Sequence, residues 1–424
     1  MAMRDTRVIL PGQTIGILGG GQLGRMMAIA ARQMGYGVTT LDPTPQSPCG
    51  QIADHQVVAA LDDAEAARTL ARHSDVVTYE FENVDAAVAE ALEQEAYLPQ
   101  GSRLLYVTQH RLREKTAVQS AGVPVAPFRP AADRAGLRRA VADIGLPCVV
   151  KTTRGGYDGK GQWVIRSLDD LAVIPGAVFA DAVGAVPAGA PAGSGGPAAV
   201  WARADAAETD AGAAAADDVA APLIVEGFVP FVAEVSVLVA RRADGRMVSF
   251  PPAENVHQDG ILHLSIVPAR LPDAVLARAV AAAERVAEAL DAVGVLAVEM
   301  FVTADGQVLV NELAPRPHNS GHYTIDACDT SQFEQHVRAI CHLELAEPRL
   351  RTPVVMVNVL GQHLDAVLRG MPHWPGHVKV HLYGKREART GRKMGHVNVL
   401  ADDVQTALAE IQRLGVWGGD AGAP

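Results

Sequence analysis

Over its first hundred residues the chain alternates short apolar runs with alanine-rich segments of helical periodicity: "TIGILGGG" then "QLGRMMAIAARQMGY", "GVTTLD", and later "SDVVTYEF" then "DAAVAEALEQEAY". Strands separated by amphipathic helices of this length cannot pair as hairpins. They close as a parallel sheet with its helices packed on the faces. The pattern predicts a doubly wound, Rossmann-like α/β domain over residues 10–112.

The rhythm then changes. "VTQHRLREKTAVQSAGVPVAPF" predicts one helix ending at Gly122, with Pro124 beyond it. Strands joined by glycine turns follow: "CVVKTT", "GQWVI", "LIVEGFV", "AEVSVLVARR", "LAVEMFV" and "QVLVNEL". One long helix, "PDAVLARAVAAAERVAEALDAVG", interrupts them, with Gly294 as its expected stop. This is an α+β domain, residues 113–347. A small strand-rich unit, 348–418, runs from "VVMVNVLG" through "HVNVLADD" into a last helix. Residues 175–222 are almost wholly Ala, Gly, Pro, Val and Asp and are read as a mobile insertion without chemistry.

At 424 residues the chain has room for roughly three domains, each with its own core. A net charge of -11 argues against general nucleic-acid binding, so any phosphate site is local. Cys49, Cys148, Cys328 and Cys341 lack CxxC spacing, which points to buried free thiols in a reducing compartment. The start "MAMRDTRVILPGQ" has no signal-peptide pattern and no apolar run spans a bilayer, so a cytoplasmic protein without a membrane partner is expected.

Four stretches carry chemistry. "GGGQLGR" follows a strand, opens a helix and contains GxGxxG as Gly19, Gly21 and Gly24. With Asp42 on the next strand it suits a dinucleotide, a tight packing turn or, the better fit, another phosphate-bearing ligand. "VVKTTRGGYDGKGQW" puts Lys151 and Lys160 around glycines 155, 156, 159 and 161, backbone able to fold over phosphate oxygens. In "GVLAVEMFVTADGQVLVNELAPRPHNSGHY", a two-residue Asp-Gly turn pairing Ala304 with Gln307 sets Glu299 opposite Glu312. Facing carboxylates repel unless a cation lies between them, and Mg²⁺ held by one or two carboxylates plus phosphates is the usual solution. Asn311 supplies a neutral oxygen if the backbone turns it inward. Finally, "PLIVEGFVPFVAEVSVL" places Glu226 and Glu234 around an apolar linker suited to an adenine edge and ribose hydroxyls. Pairing of Glu234 with Arg241 or Arg242 is the plain alternative.

Taken with "TYEFENV", "ENVHQDGIL" and "GKREARTGRKMGHVNV", these stretches resemble, in order over residues 14–400, the ATP-grasp enzymes, and among them the N5-carboxyaminoimidazole ribonucleotide synthase family. The resemblance implies a pre-ATP-grasp domain, an ATP-grasp domain with a mobile lid and a small C-terminal domain. It implies use of ATP with Mg²⁺ (Mn²⁺ an alternative), carboxylation of 5-aminoimidazole ribonucleotide by bicarbonate through carboxyphosphate, and a homodimer.

Carried over by position, Arg111 and Lys151 hold ATP phosphates beneath a loop formed by Gly155, Gly156, Gly159, Gly161 and Gln162. Glu226, Gly227, Phe228, Val229 and Glu234 take adenine and ribose. His257, Asn311 and Glu312 lie at the nucleotide, and Glu299 shares the metal with Glu312. Gln22, Glu80, Glu82, Lys385, Arg392 and Lys393 meet the ribonucleotide, the last three at its 5′-phosphate. Tyr157, Asp158, Lys160 and Arg316 act at the reacting groups, in a site expected between domains. Three departures stand out: the 175–222 insertion, His110 in place of an aspartate, and Lys160 in place of an arginine. Relatives using formyl phosphate or biotin, a dinucleotide oxidoreductase and a non-catalytic nucleotide sensor are the competing readings.

Overall fold

The structure is a computed structural model and describes residues 6–155, 160–180 and 221–418. These fall into two compact units: one holds the residues up to Tyr106 together with those from Phe231 onward, the other Val107–Pro230.

In the first unit, β1 (Thr14–Leu18), β2 (Gly37–Leu41), β3 (His55–Val57) and β4 (Val76–Tyr79) form a parallel sheet in the order β3-β2-β1-β4. Both faces are covered, as the alternating pattern requires. Leu70 and Leu92, from helices Ala64–Arg72 and Ala86–Glu95, pack on one side with Leu18 and Val77. Met26, Met27 and Ala31, from helix Gln22–Gln33, pack on the other with Ile15 and Ile17. That second core is completed by Phe333, Val337 and Ile340 of helix Gln332–Ile340, some three hundred residues later.

The same unit contains a nine-stranded sheet built from β9 (Phe231–Arg241), β10 (Met247–Ser249), β11 (Ala253–Gln258), β12 (Ile261–Val267), β13 (Gly294–Thr303), β14 (Val308–Ala314), β15 (Val354–Leu360), β16 (Val378–Leu382) and β17 (Lys393–Leu400). Its order is β14-β13-β9-β11-β12-β15-β17-β16, with β10 pairing β9. The C-terminal strands therefore extend the central sheet through the β12–β15 pairing. The second unit is an antiparallel sheet, β5 (Phe128–Ala131), β8 (Leu223–Gly227), β6 (Cys148–Thr152) and β7 (Gln162–Ile165), in the order β5-β8-β6-β7, with helix Arg134–Ile144 packed on it.

Two helix expectations need correction. The single helix expected before Gly122 is two, Gly101–Thr108 and Arg111–Ser120. The break arises because the Arg111 amide donates to Thr153 O (3.0 Å) rather than to a preceding turn. The long helix spans Asp273–Ala289 and stops at Leu290, not Gly294. Asp291 takes the left-handed conformation (φ 49°) and its carboxylate receives Arg241. Gly294 instead opens β13, where a Cβ would lie 2.8 Å from the His336 ring. All four cysteines are buried and free. Among the described residues no helix is long and apolar enough to cross a membrane. Of the 175–222 insertion, residues 181–220 lie outside the described residues.

Candidate active site

In the second unit the β6–β7 hairpin carries the glycine loop at its end, with Lys151 opposite Gln162. Gly155 and Gly161 both take φ 71°, and a Cβ on Gly161 would meet Thr152 Oγ1 at 2.7 Å, so glycine is required there on two counts. Lys160 is exposed. Gly156, Tyr157, Asp158 and Gly159 lie outside the described residues.

Val149 pairs with Glu226 across β6 and β8, so strand alternation puts Lys151, two residues on, on the face of Glu226. Lys151 Nζ donates to Glu226 Oε2 at 2.9 Å, and Lys115 Nζ stands 3.4 Å from the same oxygen. Two ammonium groups share one buried carboxylate, and the Arg111 charge acts on the same carboxylate. Burial raises the Glu226 pKa, but the charges of Lys151 and Lys115 outweigh it and bring it down to about 2. Burial, with the Lys151 charge behind it, lowers that of Lys115. Glu226 is thus first the anchor of two lysines, a task distinct from the adenine contact expected of it. Beyond it the Gly227 amide donates to Pro127 O, Phe228 is exposed and Val229 is half-buried.

In the first unit Glu299 does pair with Glu312, though by a different route from the one expected. The hairpin turn is one residue longer: Thr303 N donates to Gln307 O, and Val302, not Ala304, opens the paired register, opposite Val308. A bulge then restores the count, since Met300 faces Val310 and Glu299 faces Glu312, with Asn311 as the extra residue. A bulge turns neighbouring side chains to one side, and Asn311 and Glu312 are consecutively half-buried after a strictly alternating Val308–Val310.

Burial, with the charges of Glu312 and Glu234, pushes the Glu299 pKa up to about 7. His318 Nδ1 accepts from the Ser320 amide, so its Nε2–H is the group that faces Glu299 Oε1 at 3.2 Å. Burial keeps this imidazole neutral. His257 Nδ1 lies 2.9 Å from Glu234 Oε2. Burial opposes its charge, but Glu234 and Glu299 prevail and its pKa rises. Arg241 and Arg242 pair with Asp291, Asp244 and Glu344, not with Glu234.

Among the described residues there is no cluster of three or more side chains able to hold a metal unaided. Two facing carboxylates beside an amide oxygen fit Mg²⁺, which completes its shell with phosphates and water. They do not fit a self-sufficient zinc-type centre.

The "GGGQLGR" turn carries the clearest correction. Its amides are taken by the protein itself: Gly21 N and Gly24 N each donate to one oxygen of Glu80, and Gly20 N donates to Asp42 Oδ2 at 2.9 Å. A Cβ on Gly21 would lie 2.7 Å from Glu80 Oε1, so the glycines make room for this carboxylate rather than for a ligand's phosphate. Glu80 is 6 % exposed and each of its oxygens accepts one amide, so its first task is to hold this turn. Asp42 is engaged in the same way, by the amides of Gly20 and Thr44, so the turn is accounted for without a dinucleotide.

Glu82 instead accepts from Arg316 Nε, and its pKa is lowered by that guanidinium against the opposing effect of burial. Lys393 also contributes to lowering it. Lys385 Nζ donates to Lys393 O at 2.8 Å, while Arg392 is exposed and donates to Glu387 O. Gln22 is half-buried at the start of its helix.

Comparison with known proteins gives this geometry a context. The profile of the ATP-grasp domain matches residues 116–184 and 192–333, that of the ribonucleotide synthetase preATP-grasp domain 12–109, and that of the phosphoribosylaminoimidazole carboxylase C-terminal domain 354–410. The N5-carboxyaminoimidazole ribonucleotide synthase of Bacillus subtilis is 45% identical over 405 residues, 96% of each chain. The chain belongs to the N5-carboxyaminoimidazole ribonucleotide synthase family.

Solved structures of that family agree. An ADP complex of one synthetase is 50% identical with a TM-score of 0.84, covering 97% of this chain and 98% of that one. The Aspergillus clavatus synthase in complex with ADP and 5-aminoimidazole ribonucleotide is 31% identical with a TM-score of 0.79, covering 95% and 97%. Within the family frame, the residues carried over from the resemblance divide between the two units: Arg111, Lys151 and Glu226 in one, Glu234, His257, Glu299, Asn311, Glu312 and Arg316 in the other. Lys115 and His318 escaped the sequence reading. Lys115 follows Arg111 by four residues on one helix face, the available signal for it. His318 stood in a quoted motif without a role. The departing residue His110 is buried and precedes the helix that Arg111 opens.

Proposed function

We propose that this protein is an ATP-dependent carbon–nitrogen ligase that carboxylates the exocyclic amine of 5-aminoimidazole ribonucleotide with bicarbonate, in purine biosynthesis. An oxygen of bicarbonate attacks the γ-phosphorus of ATP, the bond to the bridging oxygen breaks, and ADP leaves with carboxyphosphate formed. The amine lone pair then bonds to the carboxyl carbon, the bond to phosphate breaks, and the amine gives up a proton.

The observation that carries the reading is the Glu299–Glu312 pair with Asn311 turned beside it by a bulge, in a chain that also buries two lysines on one carboxylate. Lys151 and Arg111 hold phosphates, with Lys115 keeping Glu226 in place, and Tyr157, Asp158 and Lys160 of the glycine loop act at the reacting groups. Glu234 and His257 hold the nucleoside. Glu299 and Glu312 would hold Mg²⁺, which when bound neutralises phosphate charge as the γ-phosphoryl group transfers. Arg316, oriented by Glu82, stabilises the carboxyl anion, and Lys385, Arg392 and Lys393 take the ribonucleotide phosphate, with Gln22 nearby. Exclusion of water protects carboxyphosphate from hydrolysis. A cytoplasmic homodimer is part of the proposal.

The test is phosphate release from MgATP and bicarbonate, with and without 5-aminoimidazole ribonucleotide. Release that depends on the ribonucleotide and on bicarbonate, and not on formate, is expected. ATP binding without such stimulation would mean another acceptor amine.

A further inference from the structure

Behind Lys385 lies a file of polar side chains, buried at Tyr383 and His396 and half-buried at His381 and Asp326, that the reaction does not use. Lys385 Nζ sits 5.6 Å from the centroid of the Tyr383 ring, within range of cation–π attraction. Tyr383 is 2% exposed, burial keeps its phenol protonated, and its hydroxyl is hydrogen-bonded to His396 Nδ1 at 3.0 Å. His396 is fully buried and stacks on His381, its cross-strand partner, with ring centroids 4.7 Å apart and planes 15° from parallel. His381 Nε2 lies 2.8 Å from Asp326 Oδ2, and the same oxygen accepts from Asn398 Nδ2 at 2.7 Å. Tyr383, His396, His381 and Asp326 thus link the loop bearing Lys385 to the segment after β14, which bears Arg316 and His318.

A second branch reaches the same segment. His322 lies 4.7 Å from His396, ring to ring, and its Nδ1 accepts from Gln332 Nε2 at 3.1 Å. The same amide closes on both sides of His318, accepting from its N at 2.8 Å and donating to its O at 2.7 Å. Burying polar groups costs free energy unless they are hydrogen-bonded, and an apolar filling would hold two strands together as well, so a hydrogen-bonded file here specifies a geometry.

We propose that Tyr383, His396, His381 and Asp326 are positioning residues that fix Lys385 relative to Arg316 and so set the affinity for the ribonucleotide's phosphate. The inference rests on the reading of Lys385 as a phosphate ligand. A lysine tail has many rotamers; the Lys393 carbonyl takes one hydrogen bond from Lys385 Nζ at 2.8 Å, and a ring held by its hydroxyl restricts the tail further before the ligand arrives.

The test measures affinity for 5-aminoimidazole ribonucleotide by calorimetry without bicarbonate, affinity for ADP, and KM and kcat under turnover. The variants are Tyr383→Phe, which keeps the ring and removes the hydroxyl, Asp326→Ala, its conservative form Asp326→Asn, and the Tyr383→Phe/Asp326→Ala pair. The expected result is a three- to tenfold weaker ribonucleotide affinity in Tyr383→Phe and Asp326→Ala, partial recovery in Asp326→Asn, and ADP affinity and kcat within twofold of wild type. The double variant should be no weaker than the weaker single one, since both break one chain.

Unchanged ribonucleotide affinity in both single variants, or an equal loss for ADP, overturns the proposal. Should Asp326→Ala fail to fold, Tyr383→Phe alone decides. A wild-type protein that binds the ribonucleotide yet releases no phosphate rejects the proposed reaction, and the affinities of the variants still decide the positioning chain. Wild type that does not bind the ribonucleotide overturns both.

Discussion

Replacing Glu226 by glutamine removes the one negative charge between two lysines while keeping the shape of the side chain. The fall of the Glu226 pKa from the ordinary 4.5 to about 2 corresponds to about 3 kcal/mol of native-state stabilisation at neutral pH. That agrees with the roughly 3–5 kcal/mol lost when one partner of a buried ion pair is deleted. The sign follows from the direction: a carboxylate held below its ordinary value stabilises the fold above pH 4.5, and the effect fades as pH falls from there toward 2. Denaturant unfolding of Glu226→Gln should show a loss of about 3 kcal/mol at pH 8, roughly halved near pH 3 and approaching zero only below about pH 2. MgATP should raise the melting temperature of the variant more than that of wild type, because phosphate restores the missing negative charge. A loss under about 1 kcal/mol at pH 8, or a gap that persists in acid, would refute the account of Glu226 as the anchor of Lys115 and Lys151.

Glu312→Gln should abolish metal-dependent ATP turnover while leaving the melting temperature within a few degrees of wild type; near-normal ATPase would reject the metal assignment. Gly21→Ala places a methyl 2.7 Å from Glu80 Oε1, so the carboxylate must shift and weaken its hold on the two amides, and urea denaturation should record a loss of about 1 kcal/mol. Burial holds His336 down at about 3 and His263 at about 4, so both stay neutral when folded and take a proton when unfolded. Each should lower stability by about 1.4 kcal/mol per pH unit as pH falls below about 6 toward those values, and a fold that grows more stable between pH 6 and 5 would contradict this.

What the sequence made legible followed its local regularities. The parallel sheet came from strand and helix periods, and the facing of Glu299 and Glu312 came from counting register outward from the Asp-Gly turn. That second result survived two compensating errors: the turn is one residue longer than an Asp-Gly pair suggests, and Asn311 restores the count by bulging. Nothing local announces a bulge. The misread "GGGQLGR" turn and the unnoticed Lys115 share a cause, since Glu80 lies 56 residues from Gly24, and Glu226 stands beyond the glycine loop from Lys115. Glycines at a helix start look alike whether the anion that fills them arrives from solvent or from the chain. The break before Arg111 was hidden because a partner at Thr153, not a proline or glycine, makes it.

The closure of the first parallel sheet by helix Gln332–Ile340 has a consequence for how the chain comes off the ribosome. At about 5–20 residues per second, roughly 15–60 s separate synthesis of the helix Gln22–Gln33 from that of its late partner. Throughout that interval the surface of Met27, Ala31 and Ile15 awaits Phe333, Val337 and Ile340. The amino-terminal hundred residues are therefore the first made and among the last finished. Chains arrested before residue 340 should present that apolar face to chaperones, and an isolated amino-terminal fragment should be sticky where the whole protein is not.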